Sequence, residues 1–191
     1  MKDPYIQENG TLKNKLGITE YKELNNAEKD IGFVKLIDID TAFKKRFTAD
    51  DLKAAHKHIF EDIFEWAGEF RTVPVYKTEV VIPGLRLQYS EAKNIERDLN
   101  IALEELNNTN WEGKTLEQIS REFTIKIAKV WRVHPFRDGN TRTTLAFAQN
   151  YAKKDYPEPE HLEALIRQSI QAGIQKQRDK HIEMLEEQEE R

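Results

Sequence analysis

Apolar residues recur at helical spacing over most of the chain. Between Thr115 and Val133, Ile119, Phe123, Ile127 and Val130 follow at steps of four, four and three, which lines them up on one helix face. Thr115 and Gln118 form a capping box at the start of that helix. The stretches TEYKELNNAEKDI, after Thr19, and TADDLKAAHKHIFEDIFEWA, after Thr48, each open on an N-cap residue followed by acids in the first turn, and both are predicted helices. Ser90 opens an amphipathic helix through Leu106, closed by Asn107 and Asn108. Another helix starts at Asn140, with Leu145, Ala148 and Ala152 as its buried side. A last one begins near Pro157 to Pro159 and runs into the tail HIEMLEEQEER, whose apolar content is too low to anchor it.

One stretch departs from this period. GEFRTVPVYKTEVVIPG, from Gly68 to Gly84, is rich in β-branched and aromatic residues and bounded by glycines. It predicts a β-hairpin of two short strands turning near Tyr76 to Thr78. Pro74 lacks a backbone donor, so its strand belongs at an edge, and an edge strand is either a surface ornament or a rail on which an extended peptide adds a strand. The expected fold class is therefore mainly α, with one small β-hairpin.

Composition narrows the classes. The chain has 191 residues, enough for one domain with a sizeable core, and no repeat or linker divides residues 1–191. With 38% hydrophobic and 34% charged residues and no apolar run near the roughly 20 residues a bilayer span requires, a membrane segment is not expected. The opening MKDPYIQENG lacks the apolar stretch of a secretory signal, which points to the cytoplasm. The absence of cysteine removes disulfides, thiolate catalysis and Cys-ligated zinc. A net charge of −4 argues against general nucleic-acid or anionic-membrane binding. The charge is uneven, however. From Arg121 to Arg142 six basic residues (Arg121, Lys126, Lys129, Arg132, Arg137, Arg142) stand against two acidic ones (Glu122, Asp138).

That basic stretch contains VHPFRDGNTRTT, residues 133–144. His134 falls on the continuation of the buried face that ends with Val130. Pro135 stops the helix, Phe136 is an apolar anchor, and Gly139 permits a positive φ. The helix from Asn140 then brings free backbone N–H groups to the loop, a ready anion site. Arg142 is a cation at the positive end of that helix dipole, a conflict that a bound anion would remove. Asp138 is a hard carboxylate of the kind that holds Mg²⁺ together with substrate phosphates. A histidine beside such a site can take a proton from an attacking hydroxyl, although the C-terminal helix dipole favours its charged form. The remaining histidines, His56, His58, His161 and His181, form no metal pair and read as surface residues. Trp66, Trp111 and Trp131 read as packing residues.

HPFRDGNTR, His134 to Arg142, fills every fixed position of the pattern H-P-F-x-(D/E)-G-N-x-R and so resembles the signature of the Fic (Fic/Doc) family. The flanking helices, the upstream hairpin and the segment LKNKLGITEYKELNNAE, Leu12 to Glu28, look like the family too. The resemblance covers roughly residues 10 to 155.

What the resemblance implies is a Fic-like helical bundle with a β-hairpin flap that transfers AMP from ATP to a Tyr, Thr or Ser hydroxyl of a target protein. His134 would be the general base and Asp138 would hold Mg²⁺ against the phosphates. Gly139, Asn140 and the backbone of Thr141 would cradle the anion, with Arg142 on the phosphates. Val73, Pro74, Val75, Tyr76, Lys77 and Thr78 would form the flap that clamps the target by strand addition.

Two positions depart from the extended pattern G-N-G-R-x-x-R of many AMP-transferring members. Thr141 replaces the second glycine, and Leu145 replaces the second arginine, the family's usual contact to the terminal phosphate and partner of its inhibitory glutamate. The inhibitory signature (S/T)-x-x-x-E-(G/N) is met only in part, by Thr19 and Glu23 followed by Leu24. The missing second arginine and the incomplete inhibitory signature together imply a separate antitoxin-type regulator or no such control. Two other classes stay open: a Doc-like transferase moving another phosphate-containing group, and a non-catalytic nucleotide- or protein-binding module.

Overall fold

The structure, a computed structural model, describes residues 3–44, 46–78, 86–87 and 89–155. The helix expected from Pro157 onward and the tail lie outside the described residues. Among the described residues five α-helices run in chain order with a two-stranded pair between the second and third: α1 (Tyr21–Leu36), α2 (Ala49–Phe60), β1 (Lys77–Thr78), β2 (Arg86–Leu87), α3 (Ile95–Asn107), α4 (Leu116–Val133) and α5 (Asn140–Asp155). Short 3₁₀ turns precede α2, at Ile39–Ala42, and α3, at Ala92–Asn94.

Local chemistry sets these boundaries. Thr115 Oγ1 accepts from Gln118 N at 3.3 Å and Gln118 Oε1 accepts from Thr115 N at 2.9 Å, the capping box that the sequence predicts for α4. Ahead of α2, the buried carboxylate of Asp51 collects the N–H groups of Lys44, Arg46 and Thr48. The cap of α1 differs from the expectation. The helix starts at Tyr21 with Glu20 before it, and Thr19 lends its carbonyl to Asn9 Nδ2 and Thr11 Oγ1, so the N-terminal segment is stitched to it there.

The helix read from Thr48 also ends early, at Phe60. Successive turns then follow, in which Ile63, Phe64 and Trp66 are buried in the core. Ser90 likewise does not open α3, because a 3₁₀ turn intervenes before Ile95.

β1 and β2 pair antiparallel, Lys77 with Leu87 and Thr78 with Arg86. Lys77 and Thr78, expected in the turn, are strand residues, and residues 79–85 lie outside the described residues. Pro74 precedes the strand, where its missing donor leaves no gap in the ladder.

α3 packs along α4, α5 lies against α2 and α4, and α1 lies against α2. Rings of Phe47, Phe123 and Phe147 meet near Tyr151 in the centre, with Phe47 edge-on to Tyr151 at 4.9 Å. Each such ring contributes roughly 2 kcal/mol by leaving water. On α5 the core side is Thr144, Phe147, Ala148, Tyr151 and Ala152. Leu145, read from the sequence as buried, is 44% exposed, because the larger aromatic residues of the neighbouring stripe occupy the core.

Candidate active site

α4 ends where its buried stripe reaches His134. This residue takes the left-handed conformation, φ 52° and ψ 59°, and its N–H donates to Trp131 O at 3.0 Å. Few residues other than glycine adopt such a φ, histidine among the more tolerant. The imidazole is 1% exposed; Tyr89 lies face to face with it, 3.8 Å between centroids and 10° between planes, and Trp131 meets it edge-on at 5.5 Å.

The loop after His134 is fastened by two of its own side chains and shaped by one glycine. Phe136 is fully buried and stacks on the His56 ring at 3.8 Å. Asn140 Oδ1 accepts from Phe136 N and its Nδ2 donates to Phe136 O, both at 2.8 Å, which closes the loop on itself. Gly139 has φ +74°, and a Cβ there would stand 2.3 Å from Phe60 Cε2, so both conformation and space require glycine.

His56 supports the loop from below. Its Nδ1 accepts from Gly68 N at 2.8 Å, which places its proton on Nε2, and Nε2 donates to Asp138 O at 3.1 Å. Burial pushes its pKa down to about 3, against the opposing effect of the Asp138 bond, so the ring is neutral. The reading of His56 as a surface residue is thus overturned: His56 continues the buried register of Leu52, Ala55 and Ile59 on α2. His58 is only partly exposed and reaches Asp38 Oδ1 at 2.9 Å.

α5 makes its first helical bond from Thr143 N to Gly139 O, at 3.0 Å. The N–H groups of Asn140, Thr141 and Arg142 therefore precede the helical ladder, at the positive end of the dipole. Asp138 Oδ1 accepts from Gly139 N at 2.6 Å. Thr141 Oγ1 accepts from Trp131 Nε1 at 3.0 Å, so the side chain at this position joins α4 to α5.

Arg142 is held by a residue on which the sequence reading placed no role. Its Nη2 donates to Glu28 Oε2 at 2.6 Å and its Nη1 to Glu28 O at 2.9 Å, while the guanidinium lies 4.6 Å from the Phe60 ring centroid. Glu28 is buried on α1, and burial first, then the charge of Asp138, raises its pKa against the opposing bond from Arg142. Glu28, Arg137, Asp138 and Arg142 share a cavity of about 330 Å³ that Gly10, Leu12 and Leu24 help to close. Arg137 is paired with Asp3 at 2.9 Å.

The structure thus brings His134, Asp138, Gly139, Asn140, Thr141 and Arg142 into one loop and helix start. Of the hairpin residues, Tyr76 and Pro74 are exposed, Val73 and Val75 are half-buried, and Lys77 and Thr78 form β1. Sequence reasoning missed Glu28, Arg71, His56 and Tyr89. Glu28 carried a usable signal, because it stands four residues from both Leu24 and Gly32 on the buried stripe of α1, where an acid needs a partner.

A model of the Fic/DOC family matches residues 46–152. The protein adenylyltransferase VbhT of Bartonella schoenbuchensis is 29% identical over 154 residues, covering 80% of this chain and 31% of its own length. A protein adenylyltransferase of Bartonella henselae is 29% identical over 153 residues, with 75% and 28% covered. The chain spans under a third of the length of these curated relatives. Among solved structures, the N-terminal FIC domain of Bep8, a VirB-translocated effector from Bartonella sp. 1-1C, superposes with a TM-score of 0.67 at 25% identity, covering 78% of this chain and 74% of that one.

Proposed function

The chain belongs to the Fic/DOC family, and from that premise we propose that it transfers AMP from ATP to a Tyr, Thr or Ser hydroxyl of a target protein. The observation that carries this reading is the loop 134–142, which sets a histidine at the end of one helix and the free amides of the next on a single fastened turn. Two curated relatives named as protein adenylyltransferases support it.

In this reading the phosphates lie at the start of α5, on the backbone N–H groups of Asn140 and Thr141, with Gly139, whose own N–H is held by Asp138 Oδ1, leaving room for their approach and Arg142 as the cationic clamp. The side chain of Asn140 keeps the cradle in shape through Phe136 and leaves its backbone to the ligand. His134 takes the proton as the target oxygen attacks the α-phosphorus. The bond from that phosphorus to the α,β-bridging oxygen breaks, and pyrophosphate leaves. Positioning and charge carry this chemistry.

Asp138 fits Mg²⁺. Its carboxylate lines the cavity beside Arg142, and among the described residues no group of three or more His, Asp or Glu gathers that could enclose a metal by itself. Such a site suits an ion that takes one protein oxygen and completes its shell with phosphates and water. When bound, Mg²⁺ supplies neutralisation of the polyphosphate charge.

The hairpin residues Val73 to Thr78 are the flap on which the target adds as a strand, and the exposure of Tyr76 suits a surface of that kind. His134 is covered by Tyr89, so a target hydroxyl reaches it only when the ring at the end of the hairpin shifts. Among the described residues no helix is long and apolar enough to cross a membrane. We place the activity in the cytoplasm, under a separate antitoxin-type regulator or under no such control.

Leu145 in place of a second arginine leaves the orientation of ATP open, and a second reading is transfer of a phosphate rather than AMP. ATP labelled at the α- or the γ-phosphorus, given with Mg²⁺ to the protein and a cell lysate, separates the two. α-Label on protein supports AMP transfer; γ-label alone would replace it with phosphate transfer.

A further inference from the structure

Arg71 is buried to 2% exposure in the segment between α2 and β1, among the largest fully enclosed side chains described. Burial lowers its pKa from the ordinary arginine value, and among the described residues it makes no ion pair. Its donors go instead to three main-chain carbonyls. Nε reaches His134 O at 2.8 Å, Nη1 reaches Val73 O at 2.8 Å, and Nη2 reaches Ser90 O at 2.5 Å. Its own N–H donates to Pro135 O at 2.9 Å.

Burying a cation without a carboxylate is unfavourable, and carbonyl dipoles compensate it only when several converge. These three come from three separate places. His134 closes α4, Val73 is where the chain leaves for β1, and Ser90 is where it has returned from β2. A guanidinium presents its five N–H donors in one rigid plane, so it fixes the carbonyls relative to one another as a single ammonium cannot. The left-handed backbone of His134 is held on both sides, through its N–H by Trp131 and through its carbonyl by Arg71.

We infer that Arg71 is a positioning residue that sets the register between the hairpin and the imidazole of His134. A target lying along the hairpin then presents its hydroxyl at a height that Arg71 determines. This rests on the transferase reading, because only a reaction between a hairpin-bound group and His134 requires the two to be held in register. The nucleotide site lies on other supports, His56, Phe136, Asn140 and Glu28, so Arg71 governs acceptor placement and leaves nucleotide binding alone.

The test is Arg71→Lys, which keeps the charge and loses the fork. Three quantities are measured: ATP affinity by calorimetry, kcat for transfer, and the imidazole resonances of His134 by NMR. The expected result is ATP affinity within about twofold of wild type, kcat lower by roughly tenfold to a hundredfold, and shifted His134 resonances. Should Arg71→Lys fail to fold, Arg71→Gln is measured in the same way, since a neutral side chain removes the buried charge while still holding part of the carbonyl set. Unchanged kcat with unmoved resonances, an equal loss of ATP affinity and kcat, or failure of both variants to fold would each overturn the inference. The resonances report the coupling whether or not AMP is the group transferred, so a failed transferase reading and a failed role for Arg71 give different results.

Discussion

Glu28 and Arg142 face each other across the cavity at the start of α5, with Glu28 Oε2 2.6 Å from Arg142 Nη2. The cation that a phosphate would engage is therefore already engaged by a carboxylate from α1. Glu28 is the more buried partner, and its raised pKa records that burial and the nearby Asp138 charge disfavour its ionised form.

Glu28→Gln keeps a hydrogen-bond acceptor for Arg142 and removes the competing charge. ATP with Mg²⁺ is expected to bind this variant severalfold to about tenfold more tightly, on the order of 1 kcal/mol, in titration calorimetry. Weaker binding would show that Glu28 orients Arg142 for the ligand rather than competing with it.

His56 makes stability depend on pH with a definite sign. Its folded pKa is about 3, whereas an unfolded histidine titrates near 6.5. Between those values the unfolded chain binds the extra proton, so the contribution is fully present above about 6.5 and lost as pH falls toward 3. Thermal unfolding of wild type from pH 7 to pH 4.5 is expected to lose roughly 1 kcal/mol per pH unit more than His56→Gln does. Parallel curves for the two proteins would remove His56 from the acid response.

Much of this was legible in the sequence. Thr115 and Gln118 announced α4, its stripe pointed to a buried His134, and the glycine of the loop marked a positive φ. Each is a local rule, satisfied within a few residues. What stayed hidden depends on distant partners. Arg71 gathers carbonyls from positions 63 and 19 residues away, and Glu28 meets Arg142 across 114. The early end of α2 was equally hidden, because Ile63 and Phe64 repeat the buried spacing of Ile59 and Phe60 four residues on and so read as more of the same helix.

Gly139 and Gly113 separate conformation from space. Both have positive φ, but a Cβ at Gly113 meets nothing within 4 Å, whereas one at Gly139 would collide with the Phe60 ring. Gly113→Ala is expected to cost about 1 kcal/mol and Gly139→Ala about 2 to 4 kcal/mol in denaturant unfolding, with loss of transfer only in the second. Equal costs at the two sites would show that Phe60 yields freely.

The most direct test of the central claim is intact mass spectrometry of the protein after incubation with ATP, Mg²⁺ and an acceptor-containing lysate fraction, run beside His134→Ala. The account predicts that wild type adds one AMP mass to itself or to an acceptor, and that His134→Ala, still folded and still binding ATP, adds none. An AMP adduct formed equally well by His134→Ala would contradict the assignment of the base, and a phosphate mass in place of AMP would contradict the reaction itself.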